Sequence, residues 1–232
     1  MGQYDKFTKN YFKLRQDMFR KGSNKEFYVM LELLGNIKNK KILDLGCGFG
    51  DYAKVYSKKR AKVTGIDASQ NMIDFAKSQN IPNTKFLVGN LEEKWPFDEK
   101  FDIITSSLVL GHIKNKKFFF KECSRLLKKG GIVVFSMGNP LFHQEKNLIG
   151  KIKIFGKRKI FGNYFERRRV IRNWGKDMKV EFYHQPLEDY FRYFLENGFE
   201  LLSFREPNTQ KFIKNSWHSK NPTFLVFKLK KK

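Results

Sequence analysis

Lys41-Ile42-Leu43-Asp44-Leu45-Gly46-Cys47-Gly48-Phe49-Gly50 runs a short apolar segment straight into three glycines at alternate positions. Such a run, bounded by glycines, is the pattern of a buried strand, and glycine allows the tight turn and close backbone approach that a Cβ would block. The stretch 50–59 continues as an amphipathic helix, so the segment opens an α/β unit with a strand, a turn and a helix.

Further strands are expected at Lys62 to Ile66, Lys85 to Val88, Phe101 to Ser106 and Ile132 to Met137, with helices near 70–79 and 115–129 between them. Strands joined by helices run parallel, because the crossover must return the chain to the same edge. A helix at 186–197, stopped by Gly198, precedes two alternating runs, Phe199 to Glu206 and Thr223 to Lys230, which read as an antiparallel terminal pair. Upstream, Tyr4, Phe7, Tyr11, Leu14 and Met18, then Phe27, Met30, Leu31 and Leu34, recur at helical spacing around the break Lys21-Gly22-Ser23-Asn24. The expected fold is one α/β domain over 1–232, a Rossmann-like doubly wound sheet of seven strands, mostly parallel with the last antiparallel. N-terminal helices occupy 1–38, and a helical cap at 140–185 is inserted after strand five.

The chain has 232 residues, enough for one large domain with a full core and no staples. Its two cysteines, Cys47 and Cys123, offer neither a disulfide framework nor a zinc cluster, so no metal is expected. No apolar run approaches the roughly 18 residues of a membrane span, and the first residues lack an export signal, which points to the cytoplasm. The net charge of +24 attracts nucleic acid, anionic lipid or acidic small molecules without choosing among them, and coding bias toward lysine would produce it equally.

A second strand ends in Gly65-Ile66-Asp67, placing Asp67 21 residues beyond Gly46. At that spacing an acidic side chain accepts hydrogen bonds from both hydroxyls of an adenosine ribose. The dinucleotide fingerprint would put its third glycine three residues after the second, where Asp51 stands. The compact G-x-G-x-G form, with Asp44 ahead of it, instead resembles motif I of the class I S-adenosylmethionine-dependent methyltransferases. A pyrophosphate wants no carboxylate nearby, whereas a sulfonium amino acid brings an ammonium group that Asp44 and Asp51 suit.

Gly89-Asn90-Leu91-Glu92, Trp95-Pro96-Phe97-Asp98, Lys100 to Ile104, Ser106 to Ile113 and the turn Leu127 to Gly131 look like the methyltransferase-11, or ubiquinone/menaquinone-methyltransferase-like, group. The resemblance covers roughly residues 40 to 138. It implies S-adenosyl-L-methionine as cofactor and S-adenosyl-L-homocysteine as product. At the glycine loop it sets the cofactor against Asp44, Gly46, Cys47, Gly48 and Gly50, and past the second strand against Asp67, Ala68 and Met72. Asn90 and Leu91 fall on the adenine side, Ser106 and Ser107 at the end of the fourth strand, and Tyr11 among the aromatics that close over the ligand. Asp44 also suits a turn-stabilising role, and Tyr4 and Tyr11 a helical core. Two positions depart from the family: Asn90 stands where Asp is usual, though an amide oxygen still accepts, and Gly111 replaces a bulky residue, leaving His112 as the imidazole at the mouth.

Val180 to Leu187, with Tyr190-Phe191 and Arg205-Glu206-Pro207, resembles a segment of small-molecule members in which a Tyr-His pair precedes the sixth helix. Tyr183 and His184 are therefore candidates for the acceptor wall. Methyl transfer is driven mainly by alignment, but an amine must shed its proton and a hydroxyl or carbon needs a base. His112 or His184 could serve, and His112 equally suits a helix cap.

The leading reading is methyl transfer to a small molecule or short peptide, O, N or C atom, held beneath the cap; the positive charge suits an anionic acceptor. The cap's twelve Lys or Arg against four Asp or Glu, mixed with Phe155, Phe161, Tyr164, Phe165 and Trp174, support the alternative of an RNA methyltransferase. Against it, strand four ends in Ser106-Ser107-Leu108 and lacks the Pro-Pro-aromatic motif that base-amino methyltransferases use. A non-catalytic cofactor-binding module is the third reading.

Overall fold

The computed structural model describes residues 2–20, 24–142, 164–174, 178–207 and 222–232. A 3-10 turn, Gln3–Phe7, leads into α1 (Thr8–Arg20) and α2 (Lys25–Leu34). Then β1 (Lys41–Leu45), α3 (Asp51–Lys58), β2 (Lys62–Asp67), α4 (Gln70–Ser78), β3 (Thr84–Val88), β4 (Phe101–Ser107), α5 (Lys116–Leu126) and β5 (Leu127–Gly138) alternate. Last come β6 (Arg168–Asn173), β7 (Lys179–His184), α6 (Leu187–Glu196), β8 (Phe199–Arg205) and β9 (Phe224–Lys231).

Seven strands form one sheet in the order β3-β2-β1-β4-β5-β9-β8. The pairs from β3 to β5 are parallel, and β9 runs antiparallel to both β5 and β8. The expected mixed sheet with one reversed strand is the one observed. The order reverses beside β1, and the crevice at that switch point is where α/β sheets bind ligands.

Side-chain alternation divides the core in two. Leu43, Leu45, Ile104, Val133 and Phe135 face Phe119, Phe120 and Cys123 of α5 and Tyr190 and Phe194 of α6. Ile42, Val63, Ile103 and Val134 face Met30 and Leu33 of α2, Ala53 and Tyr56 of α3, and Ile73 and Ala76 of α4. A sheet covered on both faces needs apolar residues at both parities, which is why these strands read as continuous apolar runs. Helix α5 stops at Leu126 rather than 129, because Leu127 already pairs with Phe101 of β4.

The cap differs from expectation. Its described residues form no α-helix, only a 3-10 turn at Pro140–Phe142; β6 and β7 make a two-stranded antiparallel ribbon, with Arg168 opposite His184 and Asn173 opposite Lys179. Val170, Val180 and Phe182 alternate inward to join Phe7 and Met178 in a third, small core against Tyr4, Tyr11, Leu14 and Trp174. Period-two burial over two short runs is obscured in the sequence by the arginines at 167–169 and 172, before and within the first of them. Residues 143–163, with Phe155, Phe161 and Lys157-Arg158-Lys159, lie outside the described residues.

Charged groups fasten the ribbon. Asp189, fully buried on α6, accepts a forked pair from Arg167 at 2.7 and 2.6 Å and a further bond from Arg192. Lys116, fully buried at the start of α5, donates to Ile113 O at 2.7 Å and to Tyr183 O of β7 at 2.9 Å. Burial lowers its pKa from 10.5 to about 7, which leaves a neutral amine with enough N–H groups for both carbonyls. Between those two pH values the unfolded chain holds a proton that the folded chain has released. Stability contributed at Lys116 is therefore complete above 10.5 and is lost as pH falls through 7. In melting scans from about pH 7 to 10, Lys116→Met is expected to flatten the rise of Tm with pH that the parent shows. An unchanged slope would refute the assignment. Gly111 has a packing reason here: a Cβ would lie 2.8 Å from Cδ1 of Phe182, so a bulkier residue would push the ribbon off.

Candidate active site

The glycine loop leaves β1 in left-handed backbone, with φ of 68° at Gly46, 53° at Gly48 and 82° at Gly50. The Gly46 and Cys47 N–H groups donate to Ile66 O of β2 at 2.8 and 3.1 Å, tying the loop to the neighbouring strand. Asp67, at the end of β2, accepts from Gly48 N–H through Oδ2 and from Ser69 N–H through Oδ1, each at 2.9 Å. Burial raises its pKa in spite of those donors. Asp44 is buried on β1 and accepts from the Thr105 hydroxyl at 2.8 Å through Oδ1. Its Oδ2 is buried with no hydrogen-bond partner among the described residues, and burial pushes its pKa up to about 7. A buried carboxylate oxygen without a donor is an uncommon cost to the fold, and it lies directly behind the glycine loop.

A cleft of about 1000 Å³ opens at the carboxyl ends of β1, β2 and β4. From the sheet it is lined by Gly46, Cys47, Gly48, Asp67, Ala68 and Met72, then by Asn90, Leu91 and Ser107, all of them expected cofactor contacts. Tyr11, also expected, closes it from α1, stacked between Phe49 at 6.1 Å and Trp174 at 6.0 Å. Asp44, Gly50 and Ser106 do not line it. Gly50 instead starts α3, where a Cβ would press on Phe86, Ala76 and Ile81 at 3.3 to 3.4 Å, and Ser106 is fully buried in the sheet.

On the far wall, His112 sits in a 3-10 turn after β4 and borders the cleft with Tyr4 and Tyr183. Both of its ring nitrogens are engaged: Nε2 with the Tyr4 hydroxyl at 3.0 Å, Nδ1 with Glu181 O and the Gln3 amide, each at 2.9 Å. Burial lowers its pKa to about 4, so it is neutral near pH 7 and reaches the cleft through Tyr4. His184 does not belong to this wall. It is the inward residue at the end of β7, its Nε2 bonded to Tyr164 O at 2.8 Å, and it lies outside the cleft lining. The strand's period of two parts the Tyr183-His184 pair.

Three contributions escaped the sequence. Arg15 lines the cleft one helical turn after Tyr11 and pairs with Asp51 at 3.2 Å; the i,i+4 spacing from Tyr11 was the available signal. Leu108 lines it in left-handed backbone, φ 59°, held by N–H to Ser136 O at 3.0 Å, and such strain has no sequence signature in a leucine. The third is a strap. Gly2 approaches Ala68 and Ser69 so closely that a Cβ would sit 2.8 Å from backbone, Asp5 accepts from the Ser69 hydroxyl, and Gln3 Oε1 accepts from Glu181 N–H at 3.0 Å. The 3-10 turn thus bridges the loop after β2 and the ribbon.

Residues 43–135 match the family model described as a methyltransferase domain. These residues carry a methyltransferase domain. Over 109 residues the chain is 36% identical to a ubiquinone biosynthesis O-methyltransferase of Coxiella burnetii, covering 46% of this chain and 47% of that one. The chain thus spans about half the length of that relative. A Haemophilus influenzae protein is 28% identical over 98% of this chain and 95% of its own. Among solved structures, a candidate S-adenosylmethionine-dependent methyltransferase from Listeria monocytogenes superposes with a TM-score of 0.76 at 24% identity, covering 91% of this chain and 98% of that one. A structure named as a DhpI complex with S-adenosylhomocysteine shares the fold at a TM-score of 0.65, 17% identity, and coverage of 97% and 92%. Among the described residues no helix is long and apolar enough to cross a membrane.

Proposed function

We propose that this methyltransferase transfers its methyl group to a small-molecule acceptor enclosed between the 3-10 turn at the N-terminus, the turn carrying His112, and the β6–β7 ribbon. The observation that carries the reading is the cleft itself. It runs without interruption from the glycine loop to Tyr4, His112, Trp174 and Tyr183, and its 1000 Å³ lies at the upper end of small-molecule sites, about 300–1000 Å³.

S-adenosylmethionine, when bound, would supply an electrophilic methyl group on a sulfonium, whose carbon an acceptor lone pair could take in line as the thioether sulfur leaves with the C–S electron pair. Asp67 holds the ribose hydroxyls, trading its present bonds to Gly48 and Ser69 for them. Asp44 Oδ2 draws the ammonium toward the loop, Arg15 faces the carboxylate, and the Asn90 oxygen accepts from the adenine amino group. Tyr11 and Trp174 shield the site from water, which removes hydrolysis as a competitor. On the acceptor side, the Tyr4 hydroxyl is fixed by His112, and a proton leaving the acceptor passes to Tyr4 as Tyr4 gives its own to His112 Nε2. Tyr183 completes the wall, and His184 positions it by anchoring the end of β7.

The test is transfer of labelled methyl groups to panels of small phenols, carboxylic acids and amines, with bulk tRNA in parallel. Label is expected in at least one small acceptor and not in tRNA. Label in tRNA alone, falling steeply with salt, would replace this reading with an RNA methyltransferase.

A further inference from the structure

A second concavity lies at the opposite edge of the sheet, where the parallel strands begin. It measures about 320 Å³ and is lined by Gly35 to Lys38 from the loop after α2, and by Lys58, Lys59 and Arg60 from the end of α3. Lys40 and Lys62, both exposed, flank it at the feet of β1 and β2. A five-residue strand of roughly 16 Å separates this edge from the cofactor loop. Among the described residues no acidic group forms an ion pair with any of these six cations. The acids in the same corner, Glu99 and Asp102, are taken up by Lys41 and Lys128, each at 2.7 Å.

The cations are held together by the backbone. Asn39 N–H donates to Arg60 O at 3.0 Å and Lys62 N–H to Lys40 O at 2.9 Å, lacing the two loops. Ile37 and Ala61 are buried on either side and pin them to the core. The backbone ties hold the Cα positions of these residues close, so an anion in the concavity is met by several cationic side chains at little ordering cost to the main chain.

The end of α3 shows where this costs the fold something. The residue just past a helix usually adopts left-handed backbone, and glycine or asparagine is favoured there. Helix α6 is followed by Gly198 at φ 73° and α4 by Asn80 at φ 46°, yet α3 is followed by Arg60 at φ 63°. Lys58 and Lys59 complement the negative end of α3. That account does not extend to Lys38, Lys40 or Lys62, or to an arginine placed in backbone that resists a side chain.

We propose that this concavity binds a polyphosphate group, two or three linked phosphates as in a nucleoside triphosphate or inorganic polyphosphate. Its size suits a few phosphates, and several fixed cations bearing on one small space favour dense charge over a spread-out strand.

The test is calorimetric titration of the full chain with inorganic tripolyphosphate and with ATP, the cofactor cleft filled by S-adenosylhomocysteine. Both are expected to bind one to one. Arg60→Gly should weaken both by about tenfold while raising Tm, because glycine relieves the left-handed position. Lys38→Gln/Lys59→Gln should weaken them at least as much, whereas Lys77→Gln/Lys121→Gln, equal in charge on exposed helix surfaces, should leave them unchanged. Equal losses in the two double variants would overturn the proposal in favour of diffuse attraction by net charge. So would binding of ATP without tripolyphosphate, binding of tRNA alone, or no heat at all.

Discussion

Replacing Asp67 by Ala is expected to weaken binding of S-adenosylhomocysteine by about a hundredfold while moving Tm little. Two hydrogen bonds to a charged carboxylate are each worth about 1.5–3 kcal/mol, and losing one to both of them converts to a range of about ten- to more than a thousandfold. Stability should be spared because the carboxylate is costly before the ligand arrives. Burial raises its pKa, and the two N–H donors from Gly48 and Ser69 only partly offset that cost. Asp67→Asn, which keeps one accepting oxygen, should fall between parent and Ala. Calorimetry with the demethylated product needs no acceptor, so the result is independent of what is methylated. Affinity within about threefold of the parent in a folded Asp67→Ala protein would remove the carboxylate from the site.

The second large effect is expected at Gly46. Alanine there must adopt φ 68°, and its Cβ would fall 2.2 Å from Cγ2 of Val109. The left-handed backbone costs about 1–2 kcal/mol and the overpacking about 1–3 kcal/mol more. Together they should lower Tm by on the order of 10 °C in a chain of this size. The two contributions are separable, because Gly46→Ala/Val109→Ala removes the clash and leaves the backbone strain. The double variant should therefore melt above Gly46→Ala and below Val109→Ala. If it melts no higher than Gly46→Ala, the collision with Val109 is not what the glycine avoids. Gly48 makes the contrast, since its added Cβ would meet only Met72 Sδ at 3.7 Å. Gly48→Ala should harm cofactor binding more than stability.

The sheet and the glycine-loop half of the cleft could be read in the chain because each signal was local. A buried strand, a glycine loop and an acid at the end of the next strand lie within 27 residues, from Lys41 to Asp67. The acceptor half depends on contacts distant in sequence, and there the reading thins. Lys116 at the start of a helix looks like an ordinary solvated lysine until β7 covers it, 67 residues later. Tyr183 and His184 read as one pair although, as neighbours on β7, they face opposite sides of the ribbon, because its alternation was hidden among arginines. His112 borders the cleft, but only the fold shows Tyr4 and Glu181 taking up its nitrogens.

The bridge made by Gly2 to Asp5 also bears on the order of events in a catalytic cycle. Because one short turn holds the loop after β2 with one hand and β7 with the other, peeling it back loosens both walls at once. The two walls are thus expected to loosen as one, so a variant that frees the turn should speed exchange of ligands on both sides together.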